Sequence, residues 1–196
     1  MLYPCEDERI LEDTIFVTTL SAVSVCRTLR NAAGVDTKIK WINDIYLESK
    51  KVCGILAEAV YRENSLGGRE LGIIVGIGIN LSTTDFPEDV LQIAGGLGEF
   101  SEEALVKLKE EILNTVGEEL LYFFEHPKEQ AFREKILSEY REMSMVIGKK
   151  VSYFKDGDAE MKGIAKKILD DGSLVVENSN GVQTVLNSGE IHLHMD

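Results

Sequence analysis

Positive charge is what this chain has least of. Its 196 residues hold 21 Lys and Arg against 34 Asp and Glu, a net charge of −13. Such a surface repels nucleic-acid phosphate. The clearest basic group, Lys149-Lys150 with Lys162, Lys166 and Lys167, is interrupted by Asp156, Asp158 and Glu160 and reads as a mixed solvated surface. Nucleic acid is therefore not an expected partner. Long apolar runs are missing too. None approaches the roughly 18–20 residues of a membrane helix, so no membrane partner is expected. The opening Met1-Leu-Tyr-Pro-Cys-Glu-Asp-Glu8 has no basic stretch ahead of an apolar core, the mark of a signal peptide, and the expected location is the cytoplasm. Cysteine is sparse. Cys5, Cys26 and Cys53 are far apart, fit no zinc spacing and are expected to be reduced thiols. The three histidines, His126, His192 and His194, have no acidic partner at ligand spacing, and no metal site is expected of them.

What is present suits a globular protein. Hydrophobic residues make up 44% of the chain, ample for a core. Asp13 is placed to cap a helix running to about Arg30, with Phe16, Leu20, Val23 and Leu29 on a broad apolar face and Gly34 suited to end it. Short strand-like pieces follow around Asn43-Asp44, a favoured turn pair. Val52–Val60 and Leu71–Leu81 are long enough for buried strands, and the polar stretch between them reads as a hairpin connection. Hairpin-linked strands are antiparallel, which makes the arrangement α+β rather than doubly wound. Phe86-Pro87 to Gly98 is expected to be an irregular or short helical crossing. Ser101 with Glu102 and Glu103 starts a helix carrying Leu105, Leu108, Ile112, Leu113, Val116, Leu120, Leu121 and Phe124. His126-Pro127 breaks it, and a second helix spans about Lys128 to Glu142. From Gly148 onward, five short strands separated by Gly, Asp and Asn turns predict a small barrel. A boundary near Ser144–Gly148 divides the chain into residues 1–145 and 148–196.

Three stretches could carry chemistry. Lys51 stands at the mouth of a strand that continues Gly54-Ile-Leu56, and a lysine there can reach a carboxylate or phosphate. Lys50-Lys51 could equally be a solvated turn. Gly76-x-Gly78 followed by Asn80 lacks the third glycine and the helix of a dinucleotide fingerprint. Glycines inside a strand weaken it, so something must come close to them, and Asn80 could pair with an adenine edge. The alternative is a packing pair with Asn80 capping a loop. Asp44 could take part in nucleotide or metal binding and Asn43 could orient a phosphate or its neighbour, or the pair could be only a turn.

Taken in order, Lys40-Trp41-x-Asn43-Asp44, Lys51-x-x-Gly54-Ile-Leu-x-Glu58 and Gly76-x-Gly78-Ile-Asn80 resemble the catalytic domain of biotin–protein ligases. The likeness runs on through the helices into the final strands, similar to that family's small SH3-like barrel. It implies a mixed, largely antiparallel sheet with helices, the class II synthetase-like ligase core, plus the C-terminal barrel. It also implies a two-step reaction in which biotin and ATP form biotinyl-5′-AMP and a lysine of a biotin carboxyl carrier domain displaces AMP. Mg²⁺ is expected with ATP. Lys51 matches the family's active-site lysine. Gly54, Ile55 and Leu56 match the strand lining the biotin pocket, and Asn43, Asp44, Gly76, Gly78 and Asn80 match the nucleotide side.

The departures matter. No stretch contains the family's Gly-Arg-Gly-Arg-Arg-Gly loop, the upstream Ser/Thr and Gln contacts to biotin, or the helix-turn-helix of repressor-type members. Ile42 stands where proline is usual and Cys53 where alanine is usual. Such a loop excludes water and brings arginines to phosphate, and losing donors of that kind costs ~10²–10³ in rate each. The expectation is a truncated ligase of weak or no activity, with an open sheet edge that a homodimer or a partner fragment would cover. The competing readings are a non-catalytic ligase-fold module for dimerisation or carrier binding, and a chain that works only with an upstream fragment. Lipoate or octanoyl transfer fits the Lys51-x-x-Gly54 spacing and the final barrel less well.

Overall fold

The computed structural model describes residues 14–63, 69–82, 86–154 and 160–194. Helix α1 (Thr14–Ala33) is the spine of the molecule. It is buried almost all round, including Thr18, Thr19, Ser21, Ser24 and Thr28. Hydroxyls can occupy such a helix because they donate to carbonyls one turn back. Thr19 reaches Ile15 O at 2.8 Å, Ser21 reaches Val17 O at 2.8 Å, and Thr28 reaches Ser24 O at 2.9 Å. The helix outruns the expected end at Arg30 by one turn and stops at Gly34, whose φ of +69° only glycine adopts cheaply. The expected cap, Asp13, lies outside the described residues.

A four-stranded antiparallel sheet packs against α1. Its strands are β1 (Thr37–Lys40), β2 (Asp44–Leu47), β3 (Lys50–Glu63) and β4 (Arg69–Ile79), lying side by side in chain order. Ile39, Ile45, Cys53, Ile55 and Ile73 are buried, and the face they share turns toward the helix. The crossing from Phe86 to Gly98 is irregular apart from one 3-10 turn, Val90–Gln92, in line with the irregular or short helical crossing expected.

Helices α2 (Glu102–Glu125) and α3 (Gln130–Met143) flank α1. Ser101 Oγ accepts from Ala104 N at 3.2 Å, the cap read from the sequence. Leu108, Ile112, Val116, Leu120 and Phe123 form the buried stripe of α2. Leu113, counted among its apolar positions, instead faces solvent at 69% exposure, one residue off the 3.6-residue period. A charged cluster ties the three helices together. Arg27 of α1 meets Glu119 of α2 at 2.5 Å and Glu139 of α3 at 2.7 Å, and the Ser24 hydroxyl also bonds Glu119.

The C-terminal strands β5 (Lys150–Tyr153), β6 (Met161–Ile168), β7 (Leu174–Glu177), β8 (Gln183–Leu186) and β9 (Ile191–Leu193) form one antiparallel sheet in the order β8-β7-β6-β5-β9. The five expected strands are all present. The barrel closure expected from them would need β8 to meet β9, and no such ladder occurs among the described residues. The buried side chains of this sheet join those of α1 and the first sheet in one continuous cluster. Among the described residues no helix is long and apolar enough to cross a membrane.

The Arg27 cluster gives a stability prediction. Removing one partner of a fully buried ion pair costs roughly 3–5 kcal/mol. Arg27, Glu119 and Glu139 keep 27%, 18% and 24% exposure, so solvent takes up part of the loss. Arg27→Ala is expected to cost about 2 kcal/mol in urea unfolding, with part regained when Glu119→Gln and Glu139→Gln are added. A cost within error of zero would show the cluster to be decoration.

Candidate functional site

The site lies on the sheet face turned away from α1, and a β-bulge creates it. Strand residues three apart ordinarily point to opposite faces. Here Ile45 pairs with Cys53 but Tyr46 pairs with Lys51, which leaves Val52 as the extra residue of β3. The bulge brings Lys51 and Gly54 to the same face. Asp44 sits there as well, directly across from Gly54. Lys51 Nζ lies 2.6 Å from Asp44 Oδ1, with the carboxylate side chain only 16% exposed. Between the two, the lysine stem passes over Gly54. A Cβ built on Gly54 would stand 3.3 Å from Lys51 Cε, 3.4 Å from Nζ and 3.8 Å from Asp44 Oδ1. The glycine is what lets the ammonium lie across the strand onto its partner.

Every group near Lys51 is held. Its N–H donates to Ile93 O at 2.9 Å, and its carbonyl accepts from Gly95 N at 2.9 Å and from Asn80 Nδ2 at 3.3 Å. Gly95 and Gly96 allow this close crossing: a Cβ would meet Lys50 Cβ at 2.6 Å from the first and the Ser82 backbone at 2.7 Å from the second. Lys50 Nζ donates to the Leu91 carbonyl and, at 2.8 Å, to Gln92 O. Neither lysine is thus a free solvated turn residue. Asn43 Nδ2 donates to Ile55 O at 2.6 Å, and Asn43 O accepts from Ile55 N at 3.0 Å. That clamp sets the start of β2, where Asp44 stands.

The outer face continues across β4. Gly54 pairs with Gly78, Leu56 with Gly76, and Glu58 with Ile74. Leu56 is 56% exposed and Ile74 48% exposed. The sequence reading requires something close to the strand glycines. Among the described residues nothing crowds them: a Cβ on Gly76 or Gly78 would meet only a carbonyl oxygen at 3.9 Å, an ordinary contact. Among those residues the face above them is open, floored by backbone and framed by Leu56 and Ile74. Ile55 faces the other way, into the core at 2% exposure, and offers this face only its main chain.

Two further residues on this face went unnoticed as site residues in the sequence. Lys40 is 7% exposed, and its ammonium lies 5.9 Å from the ring centroid of Tyr46. Lys40 is also the register partner of Asp44. Burial, then the charges of Asp44 and Glu190, raise the Tyr46 phenol above its usual range. Alternation from Asp44 is the signal that finds both once the turn is fixed. Beneath the face, burial pushes the Cys53 thiol up to about 12 and that of Cys26 up to about 11, so both stay protonated and unreactive at neutral pH. Cys5 lies outside the described residues. His126, His192 and His194 are remote in sequence from these strands, and no cluster of three or more His, Cys, Asp or Glu able to hold a metal occurs among the described residues.

Residues 5–80 match the model of the biotin/lipoate A/B protein ligase family, a span that includes β1 to β4. The bifunctional ligase/repressor BirA of Bacillus spizizenii is 40% identical over 97 residues, which are 48% of this chain and 29% of that protein. Two structures of the biotin protein ligase from Aquifex aeolicus share the fold. A mutant in complex with biotin superposes with a TM-score of 0.75 at 22% identity, covering 100% of this chain and 76% of that one. The complex with biotin and ATP gives 0.65 at 21% identity, covering 93% and 72%. Residues 5–80 are thus similar to the biotin/lipoate A/B protein ligase family, and the chain shares the fold of the Aquifex ligase. The stretch matched in the Bacillus relative is under a third of that protein's length.

The openness of the glycine floor can be tested by substitution. Gly76→Val and Gly78→Val fill empty space with a good strand former, so the unfolding midpoint is expected to move by no more than about 1 kcal/mol. A larger loss in either variant would show that the chain itself fills the space above the floor.

Proposed function

We propose that the chain carries the catalytic face of a biotin–protein ligase, working in the cytoplasm on a biotin carboxyl carrier domain of a carboxylase. The observation that carries this reading is the Lys51–Asp44 pair at 2.6 Å, drawn over Gly54 beside an uncrowded glycine floor. In the first step a biotin carboxylate oxygen attacks the α-phosphorus of ATP and pyrophosphate leaves. In the second, the carrier lysine's amine attacks the acyl carbon of biotinyl-5′-AMP and AMP leaves. A cation at Lys51 meets the negative charge that builds on the carboxylate and α-phosphate oxygens. Gly54, the Ile55 main chain and Leu56 line the biotin side. Asn43, Asp44, Gly76, Gly78 and Asn80 line the nucleotide side, with Asn43 and Asn80 acting chiefly by fixing the main chain of Ile55 and Lys51. Mg²⁺ would arrive with the triphosphate, with Asp44 as its protein ligand, in keeping with the few carboxylates that ion needs. We take residues 1–145 and 148–196 as the ligase domain and a small C-terminal domain.

The rate of these 196 residues alone is proposed to be low, because no Gly/Arg-rich segment occurs in them to bring further cations to the phosphates. Calorimetric titration with biotin, with and without ATP, tests the reading. Biotin binding strengthened by ATP is expected. Lys51→Ala is expected to cut ATP-dependent labelling of a carrier domain by ~10²–10³. A chain that binds neither compound leaves the ligase reading without support.

One observation favours assembly as a second role. Strand β4 ends the sheet, with a neighbour on one side only among the described residues. Its stretch Leu71–Ile79 contains no charge or proline to discourage pairing. We propose a homodimer joined along this edge. Sedimentation velocity is expected to show a dimer that Val75→Lys dissociates, and a monomer at all concentrations would contradict it.

A further inference from the structure

The turn that aims Asp44 is held by three separate elements. Trp41 Nε1 donates to Gly172 O at 2.9 Å, 131 residues away and buried. Tyr140 of α3 donates its hydroxyl to Ile42 O at 2.9 Å. Asn43 is clamped to Ile55, as above. Three consecutive residues are thus fixed from the C-terminal sheet, from α3 and from β3, and the next residue is Asp44. The Gly172 contact is the least replaceable of the three. Its carbonyl is presented by the β6–β7 turn at φ +86°, and a Cβ there would stand 2.6 Å from Ile15 Cγ2 and 3.3 Å from Thr19 Oγ1 of α1. Other bonds set the turn firmly. Gly172 N donates to Leu169 O at 3.0 Å and Ser173 N to Asp171 Oδ1 at 2.9 Å. Arg141 of α3 reaches Ile168 O at 3.0 Å and Asp170 Oδ1 at 2.7 Å.

We propose that the β6–β7 turn of the C-terminal sheet is a positioning part of the site, with the Gly172 carbonyl acting through the Trp41 indole to hold the Trp41–Asn43 turn and so keep Asp44 on Lys51. Trp41 touches no substrate in this account. The indole transmits the position of one sheet to the carboxylate of the other. The C-terminal segment then contributes to the chemistry from a distance, and its removal would loosen the Lys51–Asp44 pair. The role given to that pair in catalysis rests on the ligase reading. The coupling itself does not, and it can be read without turnover.

The readout is the rate at which Lys51 is acylated by a water-soluble amine reagent, followed by peptide mapping with Lys149 as internal reference. A side chain held on Asp44 at 2.6 Å must leave the carboxylate to reach the reagent, so the contact slows labelling. Three variants separate positioning from general destabilisation. Trp41→Phe keeps the ring and removes the N–H. Gly172→Ala drives the turn off Ile15. Gly181→Ala carries the same left-handed cost, at φ +77°, in a turn of the same sheet that meets nothing within 4 Å. Trp41→Phe and Gly172→Ala are expected to raise Lys51 labelling about threefold over Lys149, the size of a modest ion pair, while Gly181→Ala leaves the ratio unchanged. Trp41 is the chain's only tryptophan, so its emission is expected to shift in Gly172→Ala and not in Gly181→Ala. An unchanged Lys51 ratio in Trp41→Phe and Gly172→Ala, or an equal rise in all three variants, overturns the proposal. Biotin and ATP titration of the unaltered chain judges the ligase reading separately, whichever way the labelling falls.

Discussion

The bulge at Val52 is the constraint on which the site depends. Without that extra residue, Lys51 and Gly54 would stand on opposite faces of β3, and no lysine could lie over a glycine onto Asp44. The bulge is stabilised from both sides. The Asn43–Ile55 clamp fixes the strand after it, and Ile93, Gly95 and Asn80 fix the backbone of Lys51 before it. Bulges recur beside active sites because they re-aim a side chain at the cost of a local ladder contact. The core underneath makes this possible. Ile45, Cys53 and Ile55 are buried against α1, so the inner face cannot slip in register without exposing them.

Much of this was legible in the residues. The helices follow from apolar spacing and from Ser101 and Gly34 at their ends. The antiparallel order of the first sheet follows from hairpins. Lys51, Gly54, Asp44, Gly76 and Gly78 emerge as a set from their order along the chain, and the structure gathers them on one face. What the sequence hid was direction. The spacing of Lys51 and Gly54 taken alone predicts opposite faces, and Ile55 looks like a neighbour of Leu56 although it turns into the core. Leu113 also looks interior by composition and is not, because one residue of helical phase decides it. Barrel closure could not be read from five strands, since it depends on whether the first and last ends meet.

Contacts between distant segments were the least legible. Nothing in the residues around Gly172 announces that its carbonyl receives the Trp41 indole, because the requirement for glycine there comes from Ile15, on a helix more than 150 residues earlier in the chain. The same holds for Gly95 and Gly96, whose small size makes room for the Lys50 side chain and the Ser82 main chain. These contacts explain why one buried cluster runs from α1 into the last strands, although the sequence changes character near Gly148. They also make the outer face a product of the whole chain: its floor comes from β3 and β4, its charges from β2 and β3, and its alignment from α3 and the C-terminal sheet.

The central proposal is that the open face over Gly54, Gly76 and Gly78 receives biotin and ATP. Amide chemical-shift mapping on the intact chain tests it most directly, since three of the chain's glycine amides mark the floor itself. The account predicts that adding biotin with ATP moves the amides of Gly54, Gly76 and Gly78, together with Leu56 and Asp44, more than those of the C-terminal sheet. Shifts confined to the C-terminal sheet, or none at saturating concentrations of both compounds, would contradict it.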